Sequence, residues 1–166
     1  MKYKLVKLSS FSGNECSIYS ILLNDEQETL LDKFIKENKD TFLSEIKDIL
    51  KRLRTIGNKT GARIDFFKLD EGYPGDGVCA LYDDEESNLR LYCIRYGTQL
   101  VVVGGGGPKP KEIRALQEDE KLTKENYFLK SLSAKITERI KEKEICYTND
   151  YLDFSGDLEF QDEEWD

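Results

Sequence analysis

Two apolar segments that meet at a glycine place the tightest constraint on the fold of this chain. Segments 89–96 and 99–103 are rich in β-branched and aromatic residues, and only Gly97 and a threonine separate them. A two-residue loop with glycine in its first position is typical of a type II′ turn, so the spacing predicts an antiparallel hairpin. Facing residues of a hairpin share a sheet face, and the predicted register places Arg90 opposite Gly105.

One face of the predicted hairpin is more uniformly apolar than the other. We expect the apolar face to pack on helices, with Arg90 and Tyr92 left on the more open face. The residues predicted to lie on the apolar face are Leu89, Leu91, Cys93, Leu100 and Val102. Arg95 is expected near the tip of the hairpin.

Helical spacing of apolar residues predicts three longer helices around this hairpin. The first follows Asn24, which with Gln27 forms a capping-box pattern, and it ends near Asn38. A second begins near Asp40, so the pair reads as a helical hairpin. A short helix is expected at 112–118 and a long helix at about 123–143. The predicted fold class is therefore α+β, with one domain over residues 1–149 and a helical hairpin packed on a small antiparallel sheet.

The charge of the chain is concentrated in its last 17 residues. There are 25 Lys and Arg against 33 Asp and Glu, and residues 150–166 hold eight of the acids and none of the bases, so the rest of the chain balances at 25 against 25. Aromatic residues are spaced through this acidic tail. Two interpretations stay open: the tail packs on its own domain, or it folds over a cluster of cations and mimics a nucleic acid.

The absence of histidine excludes several kinds of chemistry. Serine–histidine and cysteine–histidine nucleophile pairs and histidine metal sites are not available. The four cysteines show no C-x-x-C spacing, which disfavours a zinc site and is typical of reduced thiols in a cytoplasmic protein. We therefore predict no metal and no cofactor. Since no apolar run is long enough to span a bilayer, no membrane association is expected either.

A cluster of cations is the strongest candidate for a functional site. In the predicted register several basic side chains surround a shallow groove floored by Gly105 and Tyr92, which would suit a phosphodiester. RNA can be cleaved without histidine because its 2′-OH is an internal nucleophile, so the protein need only position the strand and stabilise charge. The predicted catalytic residues are Arg90, Tyr92, Lys109 and Lys111, and the predicted RNA-binding residues are Lys68, Arg95 and Arg114. The plainer alternative is that these cations are ordinary solvated surface charges.

The run of glycines at 104–107 also invites a phosphate-loop interpretation. A Walker A loop needs G-x-x-x-x-G-K-[ST], and here Pro108 interrupts the run and no serine or threonine follows Lys109 or Lys111. The pattern instead favours a close approach of backbone, or a strand that stops there.

The order of these segments resembles the RelE/HigB-like toxins of toxin–antitoxin modules. The likeness covers about residues 17–120 and rests on short motifs: GVCAL at 77–81, LRLYCI at 89–94, LVVVG at 100–104 and KPKEIRA at 109–115. It implies a strand, a helical hairpin and an antiparallel sheet, with cleavage of mRNA, free or on the ribosome, and a cognate antitoxin protein that covers the site. Arg90 matches the family's strand arginine, and Lys109 or Lys111 its lysine segment.

The chain also departs from this family. Residues 80–82 read Ala-Leu-Tyr where members commonly carry an arginine, and the chain adds a long helix and an acidic tail. A second hypothesis therefore stays open, that of a non-catalytic protein-binding module on the same scaffold.

Overall fold

The computed structural model describes residues 1–82, 84–110 and 120–162. Within these ranges the strands are β1 (Lys2–Lys7), β2 (Ser17–Leu23), β3 (Phe67–Lys68), β4 (Val78–Leu81), β5 (Leu89–Tyr96), β6 (Leu100–Pro108), β7 (Ile145–Tyr147), β8 (Phe154–Gly156) and β9 (Glu159–Gln161). The α-helices are α1 (Leu30–Asn38), α2 (Leu43–Thr55) and α3 (Glu120–Lys141). A π-helical turn (Ile56–Thr60) extends α2, and a 3₁₀ turn (Ile64–Phe66) precedes β3.

Seven of the strands form one mixed sheet in the order β3-β4-β5-β6-β2-β1-β9. Neighbouring strands are antiparallel except β2 and β6, which run parallel, and β7 and β8 form a separate ribbon. The protein is therefore an α+β fold, as expected, but its sheet is mixed and larger than the small antiparallel one predicted.

Both faces of the sheet are covered by apolar layers. Helices α1 and α2 pack on one face, where the core includes Phe34, Leu53 and Cys93. Helix α3 and the β7–β8 ribbon pack on the other face, where the core includes Tyr92, Ile94 and Leu129. The sequence led us to expect that the sheet face with Tyr92 would be the more open one. This expectation is wrong, because α3 covers that face.

The first helix begins five residues later than the sequence predicted. Thr29 is its N-cap: its hydroxyl accepts from the backbone N–H of Asp32, and the Asp32 carboxylate accepts from the N–H of Thr29. Asn24 and Asp25 instead have positive φ angles of 45° and 61° and form a turn in which Asn24 accepts from the N–H of Lys2. Asparagine is a common N-cap residue, but Asn24 lies in the turn between β2 and α1 and does not cap the helix.

The β5–β6 hairpin has a different loop from the one predicted. Tyr96 pairs with Leu100, so the loop has three residues rather than two, and Gly97 has a φ of 62°. The carbonyl of Gln99 accepts from the N–H of Ser17, which starts the parallel ladder with β2. Gln99 is therefore not the hairpin partner of Tyr96, because its carbonyl is hydrogen-bonded to β2, a strand that is distant in sequence.

An irregularity between Leu91 and Cys93 shifts the register again further along the hairpin. As a result Arg90 pairs with Gly107, and Gly105 is not its partner. The one-residue difference at the loop also reverses the faces of β6, so that Leu100 and Val102 lie on the α3 side and Val101 and Val103 on the α1–α2 side. The β5 residues Leu89, Leu91 and Cys93 do lie on the side that α1 and α2 cover, as predicted.

Helix α3 lies directly against the glycine run of β6. A Cβ at Gly104 would lie 2.9 Å from both terminal methyl carbons of Leu129, a fully buried residue of α3. At Gly105 a Cβ would collide with the carboxylate of Glu125, also on α3. The glycines therefore permit close packing of a helix on a strand, which is the close backbone approach that their sequence favoured over a phosphate loop.

We predict that Gly104→Ala destabilises the fold by about 1–3 kcal/mol, because the added methyl overpacks the contact with Leu129. Chemical denaturation of purified protein measures this difference. Gly107→Ala is the matched control, since its Cβ would lie 3.4 Å from the nearest atom, in Lys121, and we expect a much smaller cost. Equal effects of the two substitutions would contradict the role assigned to Gly104.

Candidate nucleic-acid interface

Arg90 and Lys109 lie at the same end of the β5–β6 pair. Arg90 pairs with Gly107 in the ladder, and its neighbour Leu89 pairs with Pro108. The backbone N–H of Lys109 donates to the carbonyl of Asn88 at 2.7 Å, which extends the pairing by one step. Although the predicted register is wrong, these two cations are brought together, and both side chains are partly exposed. We call this part of the sheet the cation end.

The ammonium group of Lys109 takes part in a local hydrogen-bond network. Its Nζ donates to the carbonyl of Asp84 at 2.7 Å and to the hydroxyl of Ser87 at 2.8 Å. The Glu45 carboxylate on α2 holds the same turn by accepting from the N–H groups of Asn88 at 3.0 Å and Leu89 at 2.8 Å. Lys109 therefore fixes the turn before β5 as well as contributing positive charge, and a phosphate would have to compete with these acceptors.

Tyr92 does not lie on a surface. Its side chain is fully buried (0% exposed) in the core beneath α3. The expectation that it stacks on a base is wrong for this structure, because α3 covers the face to which its ring belongs.

Arg95 lies at the opposite end of β5 from Arg90. Five residues of extended strand separate the two, a distance of roughly 17 Å. The Arg95 Nε donates to the carbonyl of Ala62 at 2.8 Å, and its ladder partner Val101 belongs to the core under α1 and α2. Arg95 therefore does not join the cation end, and its hydrogen bond ties the end of β5 to the segment that follows α2.

Lys68 lies on the edge strand β3, two strands from β5, which corresponds to roughly 10 Å. It pairs with Ala80, and its ammonium forms an ion pair of 3.2 Å with Glu71, whose carboxylate is almost completely buried. Lys68 thus neutralises a buried acid at the margin of the predicted groove. Lys111, Arg114 and the short helix expected at 112–118 lie outside the described residues.

Two residues on α3 that the sequence analysis did not single out occupy the predicted groove. The Glu125 carboxylate lies over Gly105, and burial raises the pKa of Glu125 although the nearby Lys121 ammonium opposes this rise. Lys121 forms ion pairs of 3.7 Å with Glu125 and 3.4 Å with Glu37 on α1. A carboxylate thus sits where the prediction placed a phosphate. The spacing of Lys121 and Glu125 by four residues was a visible signal of a shared helix face, but their position over the glycines was not visible in the sequence.

The acidic tail lies far from the cation end in the part that the structure describes. Strand β9 pairs antiparallel with β1, at the opposite side of β6 from β5, and Phe154 and Phe160 are buried in the core. The tail therefore packs on its own domain. The interpretation that residues 150–162 fold over the cation cluster and mimic nucleic acid is wrong for this structure.

Asp153 is the carboxylate that fixes the tail to the sheet. It forms an ion pair of 2.9 Å with Lys7 and accepts from the hydroxyls of Ser17 and Tyr19, both at 3.1 Å. Burial by itself raises the pKa of Asp153, but the hydrogen bonds from Lys7, Tyr19 and Ser17 together outweigh this effect, so the pKa is lowered. The ionised form is therefore the one that the fold stabilises.

Three of the four cysteines are buried, and Cys146 is exposed. Cys16, Cys79 and Cys93 are buried and unbridged, and burial raises the thiol pKa of Cys16 and Cys79 to about 12, which disfavours the reactive thiolate. In the part of the chain that the structure describes, no group of three Cys, Asp or Glu side chains is arranged to hold a metal ion. Across those same ranges, no helix combines the length and the apolar composition needed to cross a bilayer.

Comparisons with known proteins give no match. No family model matches the sequence, and neither a curated protein nor a solved structure matches the chain significantly.

We predict that Asp153→Asn lowers the stability by about 1 kcal/mol at neutral pH, a value reduced for the partial exposure of the group. A carboxyl whose pKa is lowered by folding stabilises the fold above its unfolded pKa of about 3.9 and loses this contribution as the pH falls. Urea denaturation at pH 7 and near pH 3 should therefore show the variant and the original protein converging at the lower pH. Asp40→Asn, at an exposed residue on the α1–α2 connection, is the control. A constant difference between the Asp153 variant and the original protein would contradict the assignment.

Proposed function

We propose that this chain is a RelE/HigB-like toxin that cleaves mRNA, free or on the ribosome, and that a cognate antitoxin protein restrains it. The path of the chain supports this proposal. After β2 come the helices α1 and α2 and the short strand β3, then the antiparallel neighbours β4, β5 and β6, and β6 returns to lie parallel beside β2. The resemblance implies a strand, two helices and antiparallel strands in this order, which is why the order supports the proposal. An action on mRNA would place the protein in the cytoplasm.

The observation that carries the proposal is the meeting of Arg90 and Lys109 at one end of β5–β6. Two further cations, Lys111 and Arg114, follow within a few residues of Lys109 in the sequence. These cations would bind the phosphate that is attacked and would stabilise the negative charge that develops on it. Tyr92 and Arg95 have no part in this revised site, since one is buried and the other lies at the far end of the strand.

The reaction requires little covalent chemistry from the protein. The ribose 2′-oxygen forms a bond to phosphorus as the bond to the 5′-oxygen breaks, which leaves a 2′,3′-cyclic phosphate and a 5′-hydroxyl. The 2′-OH proton passes to solvent, and the departing oxygen takes up a proton. Arg90 and the lysines would stabilise the negative charge on the phosphoryl oxygens, which is the contribution that cations can make without histidine.

A second candidate function is that of a non-catalytic protein-binding module on the same scaffold. The specific observation in its favour is that α3 covers the sheet face beside the cation end, with Glu125 over Gly105. In addition, Lys109 and Lys68 already bond to acceptors of the protein. Under this hypothesis the chain would bind one protein partner and leave RNA intact.

We predict that induction of the protein in bacterial cells arrests growth and fragments transcripts, and that Arg90→Ala or Lys111→Ala abolishes both effects. Loss of one charge that stabilises the transition state should slow cleavage by about 10²–10³-fold. Lys59→Ala is the matched control, because Lys59 is an exposed cation on the π-helical turn, remote from the cation end. Growth curves and mapping of transcript 5′ ends are the measurements.

Normal growth with intact transcripts, unchanged by the same substitutions, would overturn the ribonuclease proposal. Recovery of one stable protein partner in that situation would favour the binding module. Equal loss of toxicity in the Lys59 variant would show that expression, rather than the cation end, is responsible.

A further inference from the structure

The turn that leads into β5 lies against the cation end and carries exposed carboxylates. We call residues 84–88 the strap. Its first three residues, Asp84, Glu85 and Glu86, are acidic and exposed, and no residue of the strap is buried. Since the strap is hydrogen-bonded to Lys109, it places negative charge beside the end of the sheet where the two cations meet.

Lys109 holds one side of the strap. Its ammonium donates to the carbonyl of Asp84 at 2.7 Å and to the hydroxyl of Ser87 at 2.8 Å. Its backbone N–H donates to the carbonyl of Asn88, also at 2.7 Å. The ammonium group that the proposed function assigns to a phosphate is therefore hydrogen-bonded to two oxygens of the strap.

A carboxylate on α2 holds the other side of the strap. Glu45 accepts from the backbone N–H of Asn88 at 3.0 Å and from that of Leu89 at 2.8 Å, and it also accepts from the side-chain amide of Asn88 at 3.2 Å. Helix α2 is fixed in the core by Ile46 and Ile49, which flank this position. Glu45 therefore anchors an exposed turn to a rigid element.

The strap is able to open without disturbing the core. Its five residues are all polar or charged and none is buried, so opening breaks hydrogen bonds between exposed groups and uncovers no apolar side chain. Segments of this kind open at a much lower free energy than the fold as a whole. Leu89, the next residue, is buried, so the opening ends where β5 begins.

We propose that the strap restrains the cation end and that RNA displaces it on binding. This inference rests on the proposed function, since it takes the cation end as the site for RNA phosphates. A phosphate oxygen that replaces Asp84 and Ser87 gives Lys109 a hydrogen bond between two charged groups, which is stronger than the bonds to neutral oxygens that it loses. This difference in affinity allows RNA to shift the strap from the closed state to the open one. In the closed state the carboxylates of the strap repel the same phosphates.

The hydrogen bonds and the charge of the strap can be removed separately. Glu45→Ala deletes the acceptor that anchors the strap. The matched control is Asp48→Ala, which removes a carboxylate from the same helix that pairs with Arg52 at 2.8 Å and has no bond to the strap.

A double substitution, Glu85→Gln with Glu86→Gln, removes charge and leaves the anchor in place. The side chains of these two residues form no hydrogen bond or ion pair within the described ranges, so the closed strap is not weakened. The control is Glu138→Gln with Glu142→Gln, at exposed residues near the C-terminal end of α3. Roughly 30 Å of helix separates them from the N-terminal turn of α3, which lies by the glycine run.

The binding probe is a fluorescein-labelled, single-stranded 2′-O-methyl RNA of about 12 nucleotides. It carries the phosphates of RNA but no free 2′-OH, so it binds without being cleaved. Fluorescence anisotropy at low salt measures its Kd for the full-length chain. We expect Glu45→Ala to bind it about fivefold more tightly than the original protein, and the Glu85 and Glu86 double variant about threefold more tightly. The second effect should fade as salt is raised, and both controls should bind within about twofold of the original protein.

Hydrogen exchange measured by NMR follows the strap itself. The N–H of Asn88 donates to Glu45 in the closed state, so saturating oligonucleotide should accelerate its exchange about tenfold, and so should Glu45→Ala without RNA. The N–H of Leu129, inside α3, is the reference and should not change. Thermal unfolding verifies that each variant is folded, and the double variant carries the test if Glu45→Ala is not.

Three results would overturn the strap proposal. These are equal binding of the oligonucleotide by the original protein and both strap variants, no binding by any of them at about 1 mM, and exchange at Asn88 that the bound oligonucleotide leaves unchanged. Tighter binding by the strap variants while unmodified RNA stays intact would support the strap and count against the ribonuclease. Cleavage of unmodified RNA without any difference in binding would do the reverse.

Discussion

The packing of α3 against the glycine half of β6 is the contact on which the rest of the structure depends. Strand β6 pairs with β5 on one side and with the short parallel strand β2 on the other. Past the last β2–β6 pair, Tyr19 with Val102, its backbone is approached by helices instead of by another strand. Because Gly104 and Gly105 carry no side chains, Leu129 and Glu125 of α3 reach the strand directly. The second core, the covered face and the burial of Tyr92 all follow from this approach.

That contact also decides what the cation end can be. In the sequence, Arg90, Tyr92 and the lysines after the glycine run form a group around an open groove. In the structure the groove is filled by α3, and the cations that remain together are those at the rim, where β5 begins and β6 ends. Any ligand of Arg90 and Lys109 must therefore approach from the end of the sheet. This is a smaller site than the sequence indicated, and it competes with the carbonyl and hydroxyl groups that already bind Lys109.

Parts of the fold could be predicted from local patterns, and the errors arose where distant segments meet. The apolar spacing of α1 and α2 depends only on neighbours along the helix, and both predicted helices form, with Phe34, Ile46 and Leu53 among their buried residues. The loop after Tyr96 was predicted from Gly97 alone, but the carbonyl of Gln99 bonds to Ser17, a residue far away in sequence. This shift of the register by one residue places the side chains of β6 on the opposite sheet faces from those predicted. Within the candidate site, Arg90 and Lys109 lie close to each other despite this error, because both are near the ends of the two strands. It could not be predicted that α3 covers the sheet face with Tyr92, because the sequence of an amphipathic helix does not indicate which surface the helix will pack on.

The parallel pairing of β2 with β6 has a kinetic consequence. Ser20 donates to the carbonyl of Val103 across 83 positions of the chain, and its own oxygen accepts from the N–H of Leu31 at the start of α1. The β1–β2 pair and the β5–β6 hairpin can each form from nearby residues, whereas their union must close a long loop before any contact offsets its entropy. Joining these two halves is thus the step expected to limit the folding rate. Until it happens, the edges of β2 and β6 stay unpaired and open to association with other chains.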